Sequence, residues 1–437
     1  MKNPIRFIRC FLLIAVALCP ATGFTQTTEL GLQQALRLAE AASPDLKAAM
    51  AREQEAMETS TIAESGFYPT LDLAAVDSGG FPGSSSGTDG FAGLITSPYR
   101  SGPAAGAFSK WDLVDISLWH DVSAAHYAYD ASREAVRFQR AVVDQQALGV
   151  YLAGTRYRGE AEAWQKLVTN LLNIQNTVNR FVRNGQYSEV AKILLDDQLK
   201  NADLEVHAFT DKYQTELIRL GLLIGMDPQK IACPLPVGLS EDELGGLVNQ
   251  GASPLILRAD YEKKAASEAV GKYSAENLPK LELAASAGYL SDTRLVDEQD
   301  YSVFVGVTVP IFEGFRIDAE EKRARAEEEA KTDELTSAKL TLADLNAQYD
   351  QQIETAREDL QTLIPEQDSA KRGVDIAKQR YLAFLSPLAD LQQALRDMVN
   401  VDTQIAEVKT NLLLALGSKA FLDGQSLSVV TPAGGRP

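Results

Sequence analysis

The sequence of 437 residues predicts an α+β protein made of two copies of one unit, each running helix, strand, strand, long helix, helix. Three observations carry this: a repeat at fixed offset, long runs of coiled-coil spacing, and short segments of period-two alternation between them. Ala42-Ser43-Pro44 and Pro69-Thr70-Leu71-Asp72-Leu73 return 210 positions later as Ala252-Ser253-Pro254 and Pro279-Lys280-Leu281-Glu282-Leu283. Trp111-Asp112-Leu113-Val114-Asp115 aligns with Val309-Pro310-Ile311-Phe312-Glu313 at offset 198, which leaves 12 extra residues in the first copy. They are assigned to a variable loop between its strands.

Lys2, Arg6 and Arg9, the apolar run Phe11 to Cys19 and the small-residue stretch Ala21-Thr22-Gly23 read as a secretory signal peptide over 1–23. Leu18 stands before Cys19 where lipid attachment requires a small residue, so no lipid anchor is assigned. The first repeat, 24–226, opens with a helix from Leu32 to Glu64. Strands follow at Thr70 to Val76 and, more weakly patterned, at Ala104 to Leu113.

No proline occurs from Ile116 to Asn184, which permits one helix about 100 Å long. Its seam is visible in the 4,3,4,3 steps of Leu167, Leu171, Ile174, Val178 and Phe181, the spacing of helices lying side by side. A returning helix spans Ser188 to Met226. Residues 227–251 read as a linker, with Pro228, Pro234 and Pro236 and the capping-box pattern Ser240 to Glu243.

The second repeat, 252–423, repeats the order. A helix runs from Leu255 to Ala275, and alternating segments run from Leu281 to Tyr289 and from Tyr301 to Ile311. A long helix from Phe315 to Leu382 is interrupted and kinked by Pro365, and a last helix spans Leu388 to Leu416. Asp77 to Gly102 and Ser291 to Asp300 read as exposed loops, and 424–437 as a disordered tail.

Removing the leader takes the formal net charge from −18 to −21, a balance that argues against nucleic-acid binding. Cys233 is then the only cysteine, so no internal disulfide forms. His120, His126 and His207 show no metal-ligand spacing, and there is no phosphate-binding glycine motif or nucleophile elbow. An enzyme is not expected, and no cofactor is.

After the leader no apolar run is long enough for a transmembrane helix. Strands of about 8 to 12 residues are long enough to cross a bilayer. Four of them do not close a barrel, and open edges are too costly in lipid, so the chain must pool strands with other copies of itself. Strand physics alone permits two, three or four copies. The aromatics Phe67, Tyr68, Phe108, Trp111, Tyr289, Tyr301 and Phe312 fall near strand ends, where an interfacial girdle would place them.

The duplicated unit, the strand openings Pro69-Thr70-Leu71 and Pro279-Lys280-Leu281, Val309-Pro310-Ile311-Phe312-Glu313-Gly314 before a long helix, and Asn184-Gly185 at a helical turn together resemble the TolC-like outer-membrane efflux protein family. The resemblance covers essentially the whole mature chain. It implies a homotrimer whose β-barrel of four strands per chain sits among outer-membrane lipid and continues into a long α-helical barrel across the periplasm. The implied role is the exit duct of a tripartite efflux or type I secretion system. Its implied partners are a periplasmic adaptor and an inner-membrane transporter of the RND or ABC type.

The family's periplasmic gate maps onto the turn after the second long helix. There Tyr381 fits the gate tyrosine and Asp390 the first ring aspartate. This chain departs from the pattern at Phe384, where glycine is usual, at Ser386, where some members carry arginine, and at Gln393, in place of a second aspartate. A tyrosine–arginine gate bond is therefore not expected. In the first repeat Gly185 is expected to supply a positive φ and Ser188 to cap the returning helix. The rival reading is a periplasmic adaptor or structural coiled-coil protein, which would carry one hairpin flanked by β domains in place of two strand pairs.

Overall fold

The computed structural model describes residues 28–78, 102–185, 188–228, 231–232, 252–290 and 298–424. The expected leader, most of both strand-to-strand loops, the capping box and the tail beyond Gly424 lie outside the described residues.

A two-residue strand β1 (Thr28–Glu29) leads into α1 (Leu32–Ala42) and α2 (Pro44–Ser65). The single helix expected from Leu32 to Glu64 is thus two. Pro44 has no N–H to continue the ladder and excludes helical geometry from the residue before it. Ser43 Oγ accepts the Leu46 N–H at 3.2 Å and starts α2 afresh.

Strands β2 (Thr70–Ser78) and β3 (Gly102–Val114) precede α3 (Ile116–Arg183), one helix of 68 residues. The returning helix α4 (Glu189–Ile224) ends at Gly225, which takes the left-handed φ of 69°. The short β4 (Ile231–Ala232) then pairs in parallel with β1.

The second half follows with α5 (Pro254–Ala275), β5 (Lys280–Leu290), β6 (Glu298–Thr308), α6 (Arg316–Leu382) and α7 (Leu388–Leu422). Two elements depart from the sequence pattern. The last strand begins at Glu298 and stops at Thr308, short of Ile311: Pro310 offers no ladder donor, and Gly314 and Phe315 turn the chain at φ 61° and 62°. The interruption at Pro365 is absent, because α6 runs through it as 67 continuous residues. Both Pro365 and Gln361, whose carbonyl loses its donor, are exposed, which leaves that carbonyl open to solvent.

The strands form one antiparallel sheet in the order β2-β3-β5-β6. Pairing of β3 with β5, Ala104 opposite Leu290 through Val114 opposite Leu281, joins the two repeats. Leu113 is the extra residue of a bulge in that ladder. Edges β2 and β6 each have a partner on one side only within the chain.

The helices pack side by side, α3 against α2, α4, α5 and α7, and α6 against α5 and α7. Two apolar cores lie along them. The first gathers α1, the middle of α3 and the ends of α4 and α7 around Leu36, Leu148, Leu152, Leu220 and Leu416. The second ties the far ends of α3 and α6 to the starts of α4 and α7 around Leu171, Val178, Leu195, Leu391 and Val399.

Candidate functional site

At the far tip of the helices each repeat makes a tight turn built on the same hydrogen bonds. In the first, Asn184 N–H donates to Arg180 O at 3.1 Å and Gly185 N–H to Val182 O at 3.0 Å, with Gly185 at φ 72°. Gln186 and Tyr187 lie outside the described residues. Ser188 Oγ then accepts the Val190 N–H at 3.0 Å and caps α4.

In the second turn Ala383 N–H donates to Gln379 O at 3.0 Å and Phe384 N–H to Tyr381 O at 3.1 Å, and Leu385 N–H adds a bond to Arg380 O at 2.8 Å. Phe384 occupies the position of Gly185 and takes φ 61°, left-handed geometry that strains a residue with a Cβ. Its ring lies 4.9 Å from that of Phe181, a contact between the two repeats. Both Phe384→Gly and Phe384→Ala lose this contact, and only glycine also relieves the backbone. The glycine variant is expected to exceed the alanine variant in stability by about 1 kcal/mol. Equal denaturation midpoints for the two would contradict this.

Tyr381 is 1 % exposed and belongs to the apolar core between α3, α6 and α7. A groove of about 660 Å³ runs beside it, lined among others by Asn170, Thr177, Lys378, Leu391 and Met398. Ser386 is half-buried, whereas Asp390 and Gln393 are exposed on the first turns of α7. Gln393 Nε2 donates to Asp397 Oδ1 at 2.7 Å, and Gln393 Oε1 accepts from Arg396 Nη2 at 3.3 Å. Asp390, Gln393 and Asp397 therefore share one helix face at i, i+3 and i+7. Asp397 is not among the residues that the family pattern marks, although this spacing makes it the second acid of that face.

The sheet has two chemically distinct faces, fixed by its register. Leu71 and Leu73 of β2, Leu281 and Leu283 of β5, and Val303 and Val305 of β6 fall on one face. Val303 is 74 % exposed and Leu73 82 %, far more apolar surface than a sheet facing water carries. Asp72, Lys110, Asp112, Glu282 and Ser286 fall on the other.

Aromatic side chains collect where strands meet helices. Trp111 Nε1 donates to Phe67 O at 2.8 Å, Phe67 and Trp119 rings are 5.0 Å apart, and Phe312 meets Phe315 edge-on at 5.4 Å. Phe108 falls on the polar face, opposite Asp72 and Ser286.

The junction is locked by Asp115, the buried cap of α3. It accepts from Ser117 N at 2.9 Å and from Ser117 Oγ at 2.6 Å, and Lys280 Nζ lies 2.9 Å away. Burial pushes the Asp115 carboxyl up, but the Ser117 hydrogen bonds and Lys280 outweigh it and hold the pKa below the ordinary value. Among the described residues no three His, Cys, Asp or Glu side chains gather as a metal ion requires. No helix there is long and apolar enough to cross a membrane.

This fold is that of the TolC-like outer-membrane channels, and the similarity runs nearly the full length of the chain. The outer membrane protein VceC of Vibrio cholerae aligns at TM-score 0.75 and 18 % identity, over 90 % of this chain and 96 % of that one. A membrane protein from Pseudomonas aeruginosa aligns at 0.73 and 18 %, over 93 % and 94 %. The Campylobacter jejuni CmeC outer membrane channel aligns at 0.70 and 17 %, over 95 % and 94 %. Residues 250–419, from just before α5 to near the end of α7, match the family described as "Outer membrane efflux protein". No curated protein matches the chain.

Proposed function

We propose that this chain is one third of a passive exit duct that crosses the outer membrane and extends through the periplasm. The observation that carries this reading is the sheet: four strands with one apolar, solvent-exposed face and two unpaired edges, mounted on helices of 68 and 67 residues. Such a face belongs against lipid, and such edges are tolerable there only if they pair. Edge β6 of one copy pairs with β2 of the next, and three copies close twelve strands. The single sheet drawing on both repeats also favours the duct over an adaptor, which would carry one hairpin.

The duct works with a periplasmic adaptor and an inner-membrane transporter, which supply selection and energy. Its periplasmic end narrows at the helical tips, where Asp390 stands in a threefold ring with Asp397 two turns behind it. Tyr381 and Ser386 hold the turn that presents them, Tyr381 from within the core.

Membrane fractionation, an unboiled gel and bilayer recording test the proposal. Heat-dissociable oligomers in the outer-membrane fraction and steady ion conductance are expected, and recovery as a soluble monomer would overturn it. Asp390→Asn is expected to reduce cation selectivity and block by multivalent cations, since rings of carboxylates concentrate cations. Unchanged permeation would remove Asp390 from the gate.

A further inference from the structure

We infer that the duct has a second charge-selecting belt, at the base of the sheet where strands meet helices, and that Lys110 sets its strength. The inference rests on the duct reading, which turns the polar face of the sheet toward the lumen. On that face Asp72, Asp112 and Glu282 are opposed by two cations, Lys110 and Lys280. Lys280 is engaged by the buried Asp115 at 2.9 Å, off the strands.

Lys110 is placed differently. Its Nζ lies 3.5 Å from Asp112 of its own strand and 3.5 Å from Glu282 of β5. These separations are longer than a tight ion pair, and the side chain remains 47 % exposed while both carboxylates are about a third exposed. The ammonium therefore stands over two acids on the lumen side and masks them from a passing ion. The level is fixed by Trp111, the next residue, whose indole is tied to Phe67 O at the strand–helix junction.

Threefold repetition converts this cluster into a ring. Rings of charged side chains set ion selectivity, and low-dielectric walls focus their field. Screening limits the reach to about 8 Å at physiological ionic strength and extends it to about 30 Å at 0.01 M. The belt consequently acts most strongly in dilute salt. Lys110 tunes it because it is the cation of this face, among the described residues, that is not committed to a buried carboxylate.

Reversal potentials of the full-length channel in bilayers, under a tenfold KCl gradient at low salt, test the inference. Lys110→Gln is expected to raise the cation-to-anion permeability ratio about twofold, Lys110→Arg to restore it, and Glu282→Lys to lower it. The differences are expected to vanish near 1 M salt. Should Glu282→Lys fail to assemble on an unboiled gel, Asp72→Asn, an exposed residue, is expected to lower the ratio as well. Conducting channels whose selectivity is unmoved by these variants, and moved only by Asp390→Asn, would overturn the belt and leave the duct intact. Absence of conductance from the unmodified protein would instead overturn the duct.

Discussion

Val303→Arg is expected to abolish recovery of heat-dissociable oligomers from the outer membrane, while Phe304→Arg, one residue along, leaves them in place. The two side chains are on opposite faces of β6, because successive residues of a strand alternate. Val303 lies opposite Ala285 on the apolar face and Phe304 opposite Ala284 on the polar one. An arginine on the lipid face near the bilayer centre costs about 2–4 kcal/mol, and a homotrimer incurs it three times. The same arginine in place of Phe304 enters a face that already carries Lys110 and Glu282. A charge in place of the 62 % exposed Phe304 ring meets only water in the duct reading. Equal loss from both variants, measured by fractionation and unboiled gel, would mean that the faces are assigned wrongly.

Asp115→Ala is expected to lower stability by about 2–3 kcal/mol. The substitution removes the cap of α3, worth about 1 kcal/mol. It also strips a partly buried lysine of its partner, worth about 1–2 kcal/mol more. Because the folded pKa of Asp115 is lowered, its contribution is present above the ordinary carboxylate pKa of about 4 and is lost as the pH falls through the folded value. The denaturation gap between the natural protein and Asp115→Asn is therefore expected to stay constant at neutral and mildly acidic pH. It should close only below about pH 4, and a gap that closes near neutrality would contradict the Lys280–Asp115 lock.

The long helices were legible because proline is absent from Ile116 to Asn184 and the apolar steps repeat without a break. The strands were legible from alternation, but alternation assigns faces and not partners. Nothing in the sequence told that β3 of the first repeat pairs with β5 of the second. The break at Ser43 was present in the repeat itself, since Ala252-Ser253-Pro254 opens a helix with the same three residue types. Its sign was a Ser-Pro pair inside an otherwise helical pattern.

Pro365 misled for the opposite reason: whether a lost hydrogen bond breaks a helix depends on water access at Gln361, which composition does not reveal. At the tip, the absence of glycine at 384 was visible, but not that Phe384 would adopt the glycine's left-handed geometry and hold Phe181. The burial of Tyr381 was hidden likewise, because it depends on α3 and α7 closing around it.

The central claim is that the free edges β2 and β6 pair between copies to close one tube. Disulfide trapping tests it most directly, using single cysteines on β2 at Leu73 and on β6 at Tyr301, Val303 or Val305 in a Cys233→Ser background. One β6 position is expected to cross-link efficiently under mild oxidation in the membrane, giving covalent dimers and trimers and no larger species. Cross-linked monomers alone, or a ladder that continues beyond three chains, would contradict closure as a homotrimer.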